Sequence, residues 1–393
     1  MMKGAKVTTP EFLIFFSVTA AIGFYLFHSR IDLFPSFIHA WTQSDRYALA
    51  MGFLNNHFDF FHPRTFNLAT TDAITQVDFP IHEYLVALLM KLTGIHEPVV
   101  FRVYTLVYGL AGLFFLFRLS RLWGGSILQA LLVTVFVMTC PTFLYFLDGF
   151  LPSVPSFANC IIGYYFFFRY HNSQQRKDIF LSVLFFTLAA LARTPFLIFV
   201  ATAFAARIIH YIRNRKWNGY EMFLFMSVFA LAIAYHFYNV YLGKKYGSQF
   251  LMEFLPAKNF AELSDLFKGT LQRYGFEYFS VKHYIAVALT LLAFFILRFR
   301  KTNKVSISAV AIQAGLSFLF CVVFFMLMPR QFFDHDYYFI DSFFVALVLL
   351  IPFIASQPLP EVRMVKMGYG IVAVAFSFLL CTDAARSEEH TSE

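Results

Sequence analysis

Titratable side chains are sparse in this chain, and several gather where long apolar runs end. The first run is followed by AWTQSDRYALAMGF, residues 40–53, with Asp45 between Trp41 and Tyr47. A carboxylate in such company can act as a general base, taking the proton of a hydroxyl as that hydroxyl attacks. Asp78 follows in VDFP and Asp148 in YFLDGFLPSVP, while His335, Tyr337 and Tyr338 stand together in PRQFFDHDYYF. Charge beside strongly apolar segments is costly to keep, so each is by default a functional candidate. Asp45 and Asp148, flanked most closely by apolar residues, carry that reading best. For Asp59, Asp72, Glu262 and Asp265 the plainer reading holds, since loops need polar residues in any case.

The complementary cations are Arg64, Arg102, Arg193 and Arg330. Arg193 lies between two short apolar runs, two residues before Pro195. A guanidinium there can hold a phosphate through two parallel hydrogen bonds, or it can simply snorkel to an interface; both readings stand. His57-x-Asp59-x-x-His62 and Asp334-His335-Asp336 contain metal-ligand types, but neither spacing fixes a helical face or a finger. No residue is assigned as a metal ligand, no cofactor is required by the pattern, and a divalent metal is left open. There is no GxxxxGK[ST], and no GxGxxG after a strand, so nucleoside triphosphate chemistry has no support. Nothing points to a nucleic-acid partner.

These residues need elements to position them, and the composition says which. Of 393 residues 59% are hydrophobic, with 56 Phe and 21 Tyr, and only 14% are charged. Soluble domains run at about 45–50% apolar and about 25% charged, so the expected class is an all-α polytopic membrane protein partnered by the lipid bilayer. Cys140, Cys160, Cys321 and Cys381 fall in or beside apolar runs and read as small core residues. Lys3 and Lys6 precede the run Phe12–Phe27 with no small-x-small cleavage site after it, which reads as a retained first span.

A helix needs about 20 apolar residues to cross a bilayer. Eleven spans are expected, over 11–28, 98–117, 127–147, 152–168, 179–192, 196–212, 219–241, 283–299, 306–328, 337–355 and 367–382. Alternate loops then collect the N-terminus, RLSR, RYHNSQQRK, RIIHYIRNRK, RFRKTNK and EVRMVK on one side. That side holds more than half of the 31 Lys and Arg, but only four of the 23 acids: Glu11, Asp178, Glu221 and Glu361. Positive loops stay in the cytoplasm, so the expected topology has a cytoplasmic N-terminus. Residues 29–97, 243–282 and 329–336 then face outward from the cytoplasmic (inner) membrane. Within 29–97, DRYALAMGFL and PIHEYLVALLMKL read as helices too short to cross. The second aligns Ile81, Leu85, Leu88 and Leu92 on one face, as a helix lying in the interface plane would.

Residues 1–385 are expected to form one transmembrane unit. The last eight, RSEEHTSE, match nothing before them. Back-translated as AGA TCG GAA GAG CAC ACG TCT GAA, they spell the start of a widely used sequencing adapter. The expectation is that residues 386–393 are adapter-derived and that the natural protein continues beyond Ala385.

The order of these features resembles the GT-C glycosyltransferases, in the family that includes protein O-mannosyltransferases and the lipid A aminoarabinose transferase. The resemblance covers most of the chain. It rests on WTQSDRYALA opening a large first loop, HPRTFN, VDFPIHEYLVALLMKLTG, FRVYTLVYGLAGLFFLFRLSRLWG, the Asp after the third span, RTP, and DHDYYF. It implies a polyprenyl-phosphate sugar donor, an extracytoplasmic active site, and transfer to a hydroxyl on a lipid, glycan or protein acceptor. It also implies Asp45 as the base of an inverting direct displacement. Asp78, Asp148, Arg64, Arg193, Arg330, His335, Tyr337 and Tyr338 are the candidate substrate-binding residues. Two departures stand out: many relatives carry an Asp-Glu pair where this chain has Asp45-Arg46, and the lipid A branch has Lys-Pro where this chain has Phe79-Pro80.

The principal alternative is a transporter or flippase for a lipid-linked or anionic substrate, which would place ionisable residues near the midplane, often in inverted repeats. No repeat is evident. An oligosaccharide ligase or polymerase working from polyprenyl diphosphates, and a non-catalytic scaffold, are further alternatives.

Overall fold

Apolar runs bounded by Pro, Gly and Asn can satisfy their backbone only by winding up, and the chain does so almost throughout. The computed structural model describes residues 8–66, 70–248, 256–300, 308–356 and 375–382. α1 (Thr9–Phe27) leads through an irregular link to α2 (Ala40–Asn55) and α3 (Ile81–Thr93). Then follow α4 (Pro98–Leu122), α5 (Ile127–Met138), α6 (Pro141–Leu147), α7 (Ser153–Ser173) and α8 (Arg176–Ala192). α9 (Leu197–Asn214), α10 (Gly219–Tyr246), α11 (Phe260–Tyr278), α12 (Val281–Arg300) and α13 (Ser308–Leu327) complete the middle of the chain. α14 (Pro329–Asp334) then precedes a π-helical turn, Ile340–Phe344, that runs into α15 (Val345–Ala355). The fold is that of an all-α polytopic membrane protein.

Among the described residues, six helices are long and apolar enough to cross a membrane, and the bent pair α5–α6 makes a seventh. The expected third span, 127–147, is therefore not one rod: its halves meet at 80°. Pro141 is the cause, because its ring cannot donate to a carbonyl one turn back and clashes with it. The freed groups are taken up locally. The Val137 carbonyl, one turn before Pro141, accepts from the Cys140 N–H at 3.3 Å, and His283 Nε2 lies 3.2 Å from the Phe136 carbonyl. The expected fourth and fifth spans exist as α7 and α8, which are not among the six helices long and apolar enough to cross. α8 is short, and it begins with Arg176, Lys177 and Asp178. α7 is sheathed by protein from Ser153 to Tyr170, so it can carry Ser153, Ser156 and Asn159 without exposing them to lipid. The expected eleventh span, 367–382, lies mostly outside the described residues; 375–382 is helical.

The expected short helices of the first loop are α2 and α3. On α3 the face of Ile81, Leu85, Leu88 and Leu92 turns outward, with Leu92 74% exposed, while His82, Glu83, Val86, Ala87 and Met90 are buried. That is the orientation a helix takes when apolar residues meet lipid and polar ones meet protein.

Close approach fixes the centre of the bundle. A Cβ on Gly112 of α4 would lie 2.6 Å from the Cα of Ala158 on α7, and one on Gly163 would lie 2.8 Å from the Phe186 ring of α8. Small residues let helix backbones meet where lipid offers no hydrophobic drive. Gly112→Ala is expected to force α4 and α7 apart at a cost of about 1–3 kcal/mol, read as a lower thermal midpoint of the detergent-solubilised protein. An unchanged midpoint would show that the two helices are not packed this closely.

Candidate functional site

At one end of the bundle the connection between α1 and α4 packs over the break between α8 and α9. The break is local chemistry. α8 ends at Ala192, Arg193 is extended (φ −145°, ψ 106°), and Thr194–Phe196 form a single 3₁₀ turn around Pro195 before α9 resumes. A helix end leaves carbonyls without partners. One of them, that of Leu191, is claimed by the Phe79 N–H at 3.0 Å. Val77 is held from its other side: its carbonyl accepts from Asn239 Nδ2 at 2.8 Å and from the Tyr235 hydroxyl at 3.1 Å. The VDFP turn is thus pinned between α8 and α10, and Asp78 has little choice but to face Arg193.

The charges that meet there come from four distant segments. Arg193 donates to Asp341 through Nε at 2.9 Å and again through Nη2, and to Asp78 Oδ2 through Nη1 at 3.3 Å. Arg46, buried on α2, donates to the same Asp78 Oδ2 at 3.1 Å and to Glu83 Oε1 at 3.1 Å. Tyr337 and Tyr338 lay their rings against Arg193, 5.3 and 5.6 Å from the guanidinium carbon, as a cation over aromatic faces should sit. Two permanent cations therefore meet three carboxyls. Burial raises the Glu83 carboxyl above its usual range although Arg46 opposes it. His82 adds no charge, because burial, helped by Arg46, pushes it down to about 3.

Asp45 precedes Arg46 on α2 and is half-buried at the edge of this network. Burial raises the group above the ordinary aspartate value, against the opposing pull of the Arg46 charge. A raised carboxyl is a stronger proton acceptor when ionised, which suits a base. His39, one turn before Gln43, has a left-handed backbone (φ 56°) and pairs with Asp336 at 2.9 Å, its ring stacked on His335 at 5.3 Å and set against Tyr337.

Of the residues expected from the sequence, Asp78, Arg193, His335, Tyr337 and Tyr338 lie in one connected cluster, and Asp45 adjoins it through its chain neighbour Arg46. Asp148 lies near it: Gln43 Oε1 accepts from the Phe150 N–H at 3.3 Å. Its carboxylate, however, is fully engaged. Arg30 donates to both oxygens at 2.6 and 3.0 Å, and Arg102 adds a third bond at 3.2 Å. Arg102 also binds the carbonyls of Leu33 and Phe34, so Asp148 ties the α1–α2 link to α4 and α6. Arg64 does not join the cluster; it donates to Asn56 at 2.7 Å, inside the first loop. Arg330 does not join either, and pairs with Glu262 of α11 at 2.5 Å. Among the described residues no group of three or more His, Cys, Asp or Glu side chains converges as a metal cage; His62 pairs with Asp59 alone. Asp341, His39 and Arg30 were not named from the sequence. Asp341 was detectable, as an acid inside an apolar run.

Beside Asp78 lies a cavity of about 360 Å³. Its polar end holds Asp78 and Thr194, and its walls are apolar, with Leu191, Leu197, Phe229, Ile233 and Phe237 among them. Ile233 and Phe237 also stand on the exposed flank of α10, so one wall of the cavity belongs to the bundle's outer face.

A multi-pass helical bundle with a helical first loop packed over a broken helix is a GT-C-like fold. Among solved structures it is similar to ArnT from Cupriavidus metallidurans bound to undecaprenyl phosphate, with a TM-score of 0.58 and 11% identity. The match covers 94% of this chain and 63% of that one, so the chain spans less than two thirds of that protein's length. No family model and no curated protein sequence matches the chain.

Removing one partner of a buried ion pair leaves the other charge uncompensated, at about 3–5 kcal/mol. Asp148→Asn is therefore expected to lower the yield and thermal midpoint of folded protein by disrupting the Arg30–Asp148–Arg102 triad. A fully stable Asp148→Asn would remove Asp148 from this structural role.

Proposed function

We propose that the chain is a membrane glycosyltransferase that moves a sugar from a polyprenyl-phosphate donor to an acceptor hydroxyl, on the extracytoplasmic side of the cytoplasmic membrane. The N-terminus is cytoplasmic in this reading. The observation that carries it is the convergence of two buried guanidiniums on Asp78, which lines an apolar cavity on the bundle's flank; the half-buried Asp45 is the chain neighbour of one of them. Fold similarity to a protein solved with undecaprenyl phosphate supports the donor class. The carrier's isoprenoid chain lies along the walls shared with α10, and its phosphate sits at the polar end by Arg193.

In the reaction the acceptor oxygen bonds to the anomeric carbon as the bond from that carbon to the phosphate oxygen breaks. The electron pair leaves with the phosphate, and Asp45 takes the acceptor's proton. Phosphate is a competent leaving group, so one carboxylate suffices. Hydrolases that invert need two, about 6.5–9.5 Å apart, to activate water and protonate the departing oxygen. Arg193 and Arg46 stabilise the charge that develops on the phosphate, and Tyr337 and Tyr338 hold Arg193 in place.

Incubation of membranes with radiolabelled polyprenyl-phosphate sugars, following label into lipid, glycan and protein fractions, tests the activity and identifies the acceptor class. Asp45→Asn is expected to leave the protein folded and to lower turnover by about 10²–10⁴-fold, the usual worth of a positioned base. Near-normal turnover would remove Asp45 from that role. The wild-type rate should also fall with acidity. Because burial raises the Asp45 carboxyl, the acid limb should lie above the ordinary aspartate value of about 3.9. A limb at or below that value would contradict Asp45 as the titrating group.

A further inference from the structure

Resting on the carrier reading above, the geometry points to Asp78 as an internal occupant of the phosphate seat, displaced when a carrier phosphate enters. Arg46 and Arg193 converge on a single oxygen, Asp78 Oδ2, at 3.1 and 3.3 Å. Two guanidiniums aimed at one oxygen form the arrangement that receives a phosphate. The remaining acid partners of the two cations are placed differently: Glu83 and Asp341 leave only 1% and 0% of their side chains exposed, whereas Asp78 keeps 18% exposed and lines the cavity. Asp78 is thus the exchangeable partner, at the end of the cavity from which a lipid phosphate would arrive.

The exchange needs only a side-chain rotation. The backbone at 77–79 is fixed by Asn239, Tyr235 and Leu191. On the side away from the arginines the Thr194 hydroxyl already donates to Asp78 Oδ1 at 3.5 Å, a partner the carboxylate can keep as it turns. The phosphate and the carboxylate cannot share the seat, since like charges at such range repel strongly where water is scarce.

Counting charge then narrows the ligand. A sugar phosphodiester carries one negative charge, the same as the carboxylate it replaces, so its entry leaves the balance with Arg46 and Arg193 unchanged. A diphosphate would bring extra negative charge beside Asp341 and Glu83. The seat is therefore matched to monophosphate-linked donors. After transfer the carrier is left as a phosphate monoester of charge about −1.5 to −2 at neutral pH. The return of Asp78 to its two arginines then competes with the spent carrier and favours its release.

The test is equilibrium binding of radiolabelled polyprenyl monophosphate to the full chain in lipid nanodiscs, with thermal midpoints measured alongside. Asp78→Asn removes the competing charge and is expected to tighten binding by about tenfold, a change of about 1.4 kcal/mol; in transfer assays the spent carrier should inhibit the variant more strongly than the wild type. Binding left unchanged or weakened in folded Asp78→Asn overturns the inference while leaving the carrier reading intact. No saturable binding to the wild-type protein overturns the carrier reading, and this inference with it. Where Asp78→Asn does not fold, Asp78→Ser, which keeps a hydroxyl for Arg46, supplies the same comparison.

Discussion

A guanidinium cannot shed its proton inside a protein, and the burial of Arg193 is the constraint around which the site is organised. Once the helix breaks before Pro195 and the side chain turns inward, negative charge has to be brought to it. Asp341 comes from the π-helical turn and Asp78 from the first loop, while two tyrosine rings offer their faces. Segments more than a hundred residues apart are tied together by this one cation. The pinning of Val77 by Asn239, and of Phe79 by the end of α8, follows from the same demand, because Asp78 must arrive at a fixed place.

Such pairs are seldom the source of net stability, since desolvating two charges costs about what their attraction returns. What they supply is a unique arrangement. The Arg30–Asp148–Arg102 triad does this for the entry to the first loop, and the Arg46–Glu83 pair for the packing of α2 on α3. In each case a loop segment that apolar packing alone would leave free to slide is held by a partner it cannot exchange without leaving a buried charge alone. Asp78 differs in lying at the edge of a cavity, with part of its side chain exposed.

Much of this architecture was legible in the sequence. Composition forced a helical membrane bundle, apolar runs located most helices, Pro195 marked a true break, and short amphipathic segments announced α2 and α3. The site residues were legible as types at the ends of apolar runs: Asp45, Asp78, Arg193, Tyr337 and Tyr338. The partners were not. Nothing local says that Asp148 is spent on Arg30 and Arg102, or that Arg330 turns to Glu262, because pairing across a hundred residues is decided by helix packing. Pro141 escaped notice because a long run of Val, Phe and Leu averages over one proline. Asp341 escaped for the same reason. The orientation of α3 could not be read from periodicity alone, since which solvent its apolar stripe meets depends on what lies beside it.

The π-helical turn at Ile340–Phe344 has a consequence of its own. Winding one residue more than a regular turn holds rotates everything after it by roughly a quarter of a circle relative to what came before. Tyr337, Tyr338 and Asp341 therefore answer to the charge network, while Val345–Ala355 answers to its neighbouring helices and to lipid, and the two patterns are out of phase. A chain built this way can vary how Val345–Ala355 packs on its neighbours without disturbing the aim of the acid a single turn away.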